Sequence, residues 1–322
     1  MAVGVKATIS GYEPDELDLL LYHQIYYIII ALIDFLYLLY YNQTNRQIES
    51  DQNTRYGMKF VIDHDLHIHS KLSKCSNHAE QTAENILKYA KENGLKHICV
   101  TDHFWDEKVP GASLWYSTQG FANISKILPL PKEDGIRFDF GCETDMNMDM
   151  TLGIARSNVD KLDFVIVPTN HLHNTGVAIP EGMNSVSERA KFFMARNHAL
   201  LDMDLPFYKI GLAHFTSCLL TYYGEGTSDE LLDYITDAEY IDLFNRVAKS
   251  GMGIELNVTL EESASQSALR PYRIARACGC KFYLGSDAHT PKSLAGAMPR
   301  FRAIVDALDL TEDDKHPFVC SK

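Results

Sequence analysis

The chain has no excess of positive charge: 43 Asp and Glu stand against 30 Lys and Arg over 322 residues, a formal net charge of −13. That balance excludes a protein that grips nucleic acid by bulk charge, and no stable nucleic-acid complex is expected. The chain also has no paired-cysteine pattern. Its seven cysteines are scattered, and Cys278 and Cys280 are too close for a C-x-x-C motif. Free thiols in a reducing, cytoplasmic compartment are expected, not a disulfide framework or a zinc finger. After residue 58 there is no internal repeat and no low-complexity linker. What remains is an ordinary globular composition, 46% hydrophobic and 23% charged, long enough for one large α/β domain or two smaller ones.

Only one long apolar run occurs, in a segment (1–57) that differs from the rest. That segment holds eight of the 17 tyrosines and seven acidic against three basic residues. Leu19 to Tyr41 is nearly all apolar, broken by His23, Gln24 and Asp34. A spanning helix needs about 20 apolar residues, and Asp34 near the centre costs roughly 2.5–3.5 kcal/mol on insertion scales. Membrane contact through residues 19–41 is therefore the weaker reading. A buried or partner-binding helix, or translation beginning at Met58, competes with it. The acidic start and the lack of a small-residue cleavage site argue against a cleaved secretory signal. The segment 1–57 is read as an extension and 58–322 as the functional domain.

From Met58 short apolar or β-branched runs alternate with helical ones. Strands are expected at 60–66, 97–101, 136–142, 164–168, 209–213, 252–256 and 281–285, and helices at 80–93, 185–201, 229–250, 269–278 and 292–308. In the first helix Ile86, Leu87 and Ala90 share a face, and Gly94 is placed to end it. The alternation predicts an α/β fold, a parallel β/α barrel or a doubly wound sheet.

Metal-capable side chains follow six of these strands: Asp65, His67 and His69; Asp102 and His103; Glu143; His171 and His173; His214; Asp287 and His289. A barrel gathers carboxyl ends of strands into one ring, whereas a doubly wound sheet spreads them along an edge. The barrel is preferred, seven-stranded. In an extended chain residues i and i+2 face the same way, so His67 and His69 can bind one ion together, and Asp287/His289 repeat the spacing. Asp65 is expected to accept an imidazole N–H, and His64, on the opposite face, to be structural.

These residues carry a family resemblance. Asp65-Leu66-His67-Ile68-His69, Thr101-Asp102-His103, Gly141-Cys142-Glu143, the histidines after the fourth and fifth strands and Ser286-Asp287-Ala288-His289 resemble, in order, the motifs of the PHP (polymerase and histidinol phosphatase) superfamily, from about Lys59 to Pro291. The resemblance implies a distorted seven-stranded β/α barrel with two or three divalent ions, Zn, Mn or Fe. It also implies roles. His67, His69, Glu143 and Asp287 match a first metal site. Glu143 would bridge to a second ion held by His171 and His214, with His173 as the alternative to His171. His103 and His289 match a third site, completed by His78 or Cys75, because this chain has Cys75 where the family often has a histidine or acid.

The chemistry implied is cleavage of a small phosphomonoester by a metal-bound hydroxide, with Glu143 setting the spacing of two ions. His289, Asp102 or a water on a third ion would protonate the leaving group. Asp102 also reads as an orienter of His103. Lys292 is the best placed of Lys71, Arg156, Arg270 and Lys292 to reach the phosphate of a small phosphorylated substrate. Trp105 and Trp115 either wall the pocket or pack a loop. Competing readings are a phosphodiesterase or nuclease, a C–N hydrolase on the same metal site, or a non-catalytic metal-binding module.

Overall fold

The computed structural model describes residues 58–76 and 78–320. The apolar run 19–41 lies outside them. No helix among the described residues is long and apolar enough to cross a membrane. Two parallel sheets form the centre. The first has the order β1 (His64–Ile68), β2 (His97–Val100), β4 (Arg137–Phe140). The second runs β3 (His103–Phe104), β5 (Cys142–Thr144), β6 (Val165–Val167), β7 (Ile210–Leu212), β8 (Gly253–Leu256), β9 (Lys281–Leu284). Every pairing is parallel. Seven strands in one closed barrel were expected; nine strands in two sheets are observed, and closure is not seen among the described residues. The reason is local. The segments 97–101 and 136–142, each read as one strand, break after Val100 and Phe140, and the chain resumes in the second sheet as β3 and β5.

The first strand begins later than its apolar pattern suggests. The Phe60 N–H bonds to the Leu310 carbonyl at 3.1 Å and Lys59 bridges Thr311 antiparallel, so 59–60 pair with the C-terminal segment and not the sheet. Beyond β9 the chain runs alongside β1: the Asp287 N–H donates to the His67 carbonyl (2.7 Å) and the His69 N–H to the Ala288 carbonyl (3.0 Å). Leu66, Cys99, Ile166 and Tyr283, from strands of both sheets, pack with Phe164, Ala213 and Phe318 in one buried cluster. Strands buried on both faces read as apolar runs rather than alternating ones. The carboxyl ends of both sheets therefore open on a common region.

Helices cover the outside. Helix α1 (Ala83–Asn93) buries Ile86, Leu87 and Ala90 and ends at Gly94, whose φ of 70° an L side chain resists. Helix α2 (Val186–Leu201) starts at a Ser185–Glu188 capping box. The helix expected over 229–250 is two, α3 (Ser228–Tyr234) and α4 (Asp237–Ser250), because Thr236 and Glu239 form a second capping box that starts a new helix. Helix α5 (Gln266–Ala277) matches its reading closely. The run 292–308 is likewise split at Gly296 into Pro291–Ala295 and α6 (Ala297–Ala307).

Candidate metal centre

The imidazoles and carboxylates from the strand ends converge. Three groups have ligand atoms within 4.8 Å of one another: His67, His69, Glu143 and Asp287; Glu143, His171 and His214; His69, His103 and His289. Glu143 belongs to two of them and His69 to two. Glu143 is 1% exposed, yet its Oε2 has no hydrogen-bond partner, and neither has Nδ1 of His103, 2.9 Å away. Nε2 of His67 and Nε2 of His69 are 3.1 Å apart, and Nε2 of His69 is 3.0 Å from Asp287 Oδ1. Buried lone pairs crowded this closely, two of them without a hydrogen-bond partner, are an arrangement that a cation between them would satisfy.

Hydrogen bonds behind the rings fix which nitrogen faces inward. Glu255 accepts from His67 Nδ1 at 2.7 Å. Ser73 spends its own proton on Asp102 (2.6 Å), so its oxygen accepts from His69 Nδ1 (2.9 Å). Asp145 accepts from His171 Nδ1 (3.1 Å). The Asn170 amide NH2 donates to the His214 carbonyl, so its Oδ1 accepts from His214 Nδ1 at 3.0 Å. The Asp287 carbonyl accepts from His289 Nδ1 at 2.8 Å. Five imidazoles thus carry their proton outward and turn a lone pair toward the centre, the tautomer that binds a divalent ion. The donor set, imidazole and carboxylate alone, suits Zn, Mn or Fe. Two side chains of these groups sit on backbone that L residues seldom adopt, Asp287 at φ 52° and His214 at φ 22°. Such positions cluster at functional sites.

Without ions, protons stand in for them. Burial lowers the His69 pKa, but the Asp287 and Glu143 carboxylates outweigh it and lift the group to about 9. His67 is likewise raised against burial by Glu255, Asp287 and Glu143. Burial pushes Glu143 up, but His103 and His67 pull it well below the usual carboxylate range. His289 is driven down to about 4 by burial and then by His69.

A pH dependence follows for chelated protein. A histidine raised from 6.5 to about 9, as His69 is, contributes stability fully present below pH 6.5 and lost as pH rises through 9. The Tm of the metal-free protein is therefore expected to fall between those values, and added Zn or Mn to flatten the decline because cations displace the protons. A metal-free Tm that rises across that window in calorimetry contradicts this.

Some expected residues stand elsewhere. Asp102 does not face the centre: its oxygens accept from the Ser70 N–H, Ser70 Oγ and Ser73 Oγ at 2.6–2.8 Å, so it steadies the loop after β1, and through Ser73 both His69 and the His103 N–H. His78 is exposed and belongs to none of the three groups; His69 stands in the third instead. Lys292 is exposed on the helix Pro291–Ala295 and is not among the residues that line the cavity over the centre. Arg156 pairs with Asp160, and Arg270 with Asp237 and two backbone carbonyls. Asp65 accepts from the backbone of His67 and Ser286 and from the Tyr89 hydroxyl, not from an imidazole. His64 is buried and accepts from the Leu284 N–H through Nε2.

Two carboxylates escaped the reading. Glu255 lies in β8, inside a run read as a plain buried strand, and holds both the His67 ring and the His214 N–H (2.6 Å). Gly285 leaves room for it, since a Cβ there would strike Glu255 and His67. Asp145 has the same i,i+2 relation to Glu143 that flagged His67 and His69, so its signal was present. Partners of this kind typically carry 10–100-fold in metal affinity or activity. Glu255→Gln is expected to weaken Zn binding by about that factor in a competitive chelator titration. An affinity unchanged within about threefold rules the role out.

Above the centre is a cavity of about 930 Å³, whose floor includes His103, Glu143, His171, Asp287 and His289. His173 lines it but joins no ligand group, so His171 is the residue of that pair at the centre. Cys75 and Trp115 also line it, whereas Trp105 is buried and donates to the Val109 carbonyl.

The sequence model of the PHP domain matches residues 65–259, more than half of the chain. The chain belongs to the PHP domain family. Asp287 and His289 lie beyond the matched PHP stretch, and the pairing of β9 with β8 and its run along β1 return them to it. Similar proteins include a "Probable phosphatase" of Caldicellulosiruptor saccharolyticus, 26% identical over 224 residues, 68% of this chain and 78% of that one. A "Probable phosphatase" of Clostridium novyi is 26% identical over 262 residues, 80% of this chain and 89% of that one. Among solved structures, a candidate histidinol phosphatase of Listeria monocytogenes aligns with a TM-score of 0.52 at 13% identity, over 71% of this chain and 96% of that one. That likeness bears on the fold alone.

Proposed function

We propose that this PHP-type phosphoesterase hydrolyses a small phosphomonoester in the cavity over the three ligand groups, with two or three divalent ions held there. The observation that carries the reading is the sharing of Glu143 and His69 among groups in which five of the six imidazoles turn a lone pair inward. Residues 58–322 are taken as the catalytic unit and the two sheets as the wall of one distorted barrel. His67, His69, Glu143 and Asp287 would hold one ion, Glu143, His171 and His214 a second, and His69, His103 and His289 a third. Bound divalent ions supply Lewis acidity toward phosphoryl oxygens and bring the pKa of water near neutrality.

The chain's own residues then have defined tasks. Asp145 and Glu255 orient the His171 and His67 rings. Water oxygen bonds to phosphorus as the bond from phosphorus to the leaving oxygen breaks, and that oxygen takes a proton. Asp102 is committed to its serines, which leaves His289, on the cavity floor with its Nδ1–H held by a carbonyl and its Nε2 lone pair facing inward, to take the proton that the attacking water gives up on Nε2 and pass it to the leaving oxygen when it is not itself a ligand. Phosphate release should be measured over a panel of phosphomonoesters after loading with Zn, Mn or Fe. Chelation should abolish it and metal restore it. A panel wholly inert while lactones, amides or phosphodiesters are cleaved would replace the reading.

A further inference from the structure

Beyond its ligand floor the cavity is apolar and aromatic. Leu114, Trp115, Tyr116, Val177, Leu219 and Tyr223 form its walls. Among the described residues no Lys or Arg lines it, and the only carboxylates that do, Glu143 and Asp287, are in the ligand groups. The other polar wall groups include neutral ones, Ser113, Asn174 and Thr175. Leu114 is 92% and Tyr223 66% exposed, large apolar surface held at the cavity instead of packed inside. The Trp115 ring stands edge-on to His103, centroids 5.0 Å apart at 75°, and to Tyr116, at 4.8 Å and 85°. An aromatic shelf therefore adjoins the floor where the phosphoryl group would sit.

The geometry points to the substrate class: phosphomonoesters whose leaving alcohol is uncharged and carries an aromatic group, seated against Trp115. This deepens the phosphatase reading and rests on it. An ammonium group in the leaving portion would have to shed water with no free carboxylate to receive it, which is costly. A polyol would leave the apolar walls uncovered. An aromatic group gains area burial and edge or stacking contacts with Trp115 and Tyr223.

The test uses the full chain loaded with Zn and three primary alkyl phosphates, 2-phenylethyl, 2-aminoethyl and glycerol 1-phosphate. All three release a primary alkoxide, so differences report on the walls. The 2-phenylethyl ester is expected to exceed the others by about 100-fold in kcat/KM, chiefly through KM. Trp115→Ala should lower it about tenfold relative to glycerol 1-phosphate, and Trp115→Phe should retain most of it. The chain has two tryptophans, so quenching by 2-phenylethylphosphonate that is lost in Trp115→Phe reports contact directly. Equal or better turnover of the amine or polyol ester, or equal loss on all three in Trp115→Ala, overturns the inference and leaves the phosphatase reading standing. If none of the three esters is cleaved, the phosphatase reading is decided on the wider phosphomonoester panel. The aromatic preference is then judged on the phosphonates: tighter binding of 2-phenylethyl- than 2-aminoethylphosphonate supports it, and the reverse overturns it.

Discussion

Replacing Glu143 by glutamine is expected to cut kcat/KM for any phosphomonoester the protein cleaves by on the order of 10³ or more. The side chain is buried with one oxygen lacking a hydrogen-bond partner, and it approaches His67, His69, His103, His171 and His214 at 2.9 to 3.8 Å. Glutamine keeps the shape but removes the charge and turns two N–H donors toward a ring of groups waiting for a cation. Metal content should fall together with activity, because Glu143 belongs to two of the three ligand groups. Elemental analysis of wild type and Glu143→Gln, with kinetics on the same preparations, makes the comparison. Unchanged metal content and activity in a folded variant would remove Glu143 from the centre. A loss of activity with full metal content would limit it to positioning.

The second large effect concerns stability. Arg196, on α2, is fully buried, and its guanidinium donates to the carbonyls of Thr169 (2.7 Å), Asn147 (3.2 Å), Ala178 (2.8 Å) and Met146 (2.8 Å) and to Asp145 Oδ1 (3.3 Å). Arg196→Met preserves the apolar stem but removes a donor from four carbonyls, of which, among the described residues, Asn147 alone keeps another in the Met150 N–H, and leaves Asp145 without its buried cation. Removing one partner of a buried pair typically costs about 3–5 kcal/mol. For a domain of this size that is roughly 6–20 °C in Tm. Since Asp145 also orients His171, metal affinity should fall too. Arg196→Lys, which keeps the charge but loses the fork, should lie between. A loss under about 1 kcal/mol in denaturant titration would show that the carbonyls find other partners.

The ligand side chains were legible because an extended strand has a period of two. His67 and His69, or Asp287 and His289, need no tertiary information to be seen as neighbours, and their places just after apolar runs put them at strand ends. Helix ends were legible where a local hydrogen bond decides them, as at Gly94. They were missed where a capping box hides inside an amphipathic run, as at Thr236.

Local spacing also failed wherever a contact crosses the sheet. His78 is near His69 in sequence but exposed, whereas Glu255, 188 residues from His67, touches it. Residue types and their order along the chain determined the α/β class, the family and the pool of possible ligands, since these rest on short-range periodicity. Which carboxylate backs which imidazole, which histidine of a pair reaches the centre and which aromatic ring walls the cavity were decided by strand pairing and loop packing. Those depend on contacts between distant segments, and no local pattern encodes them.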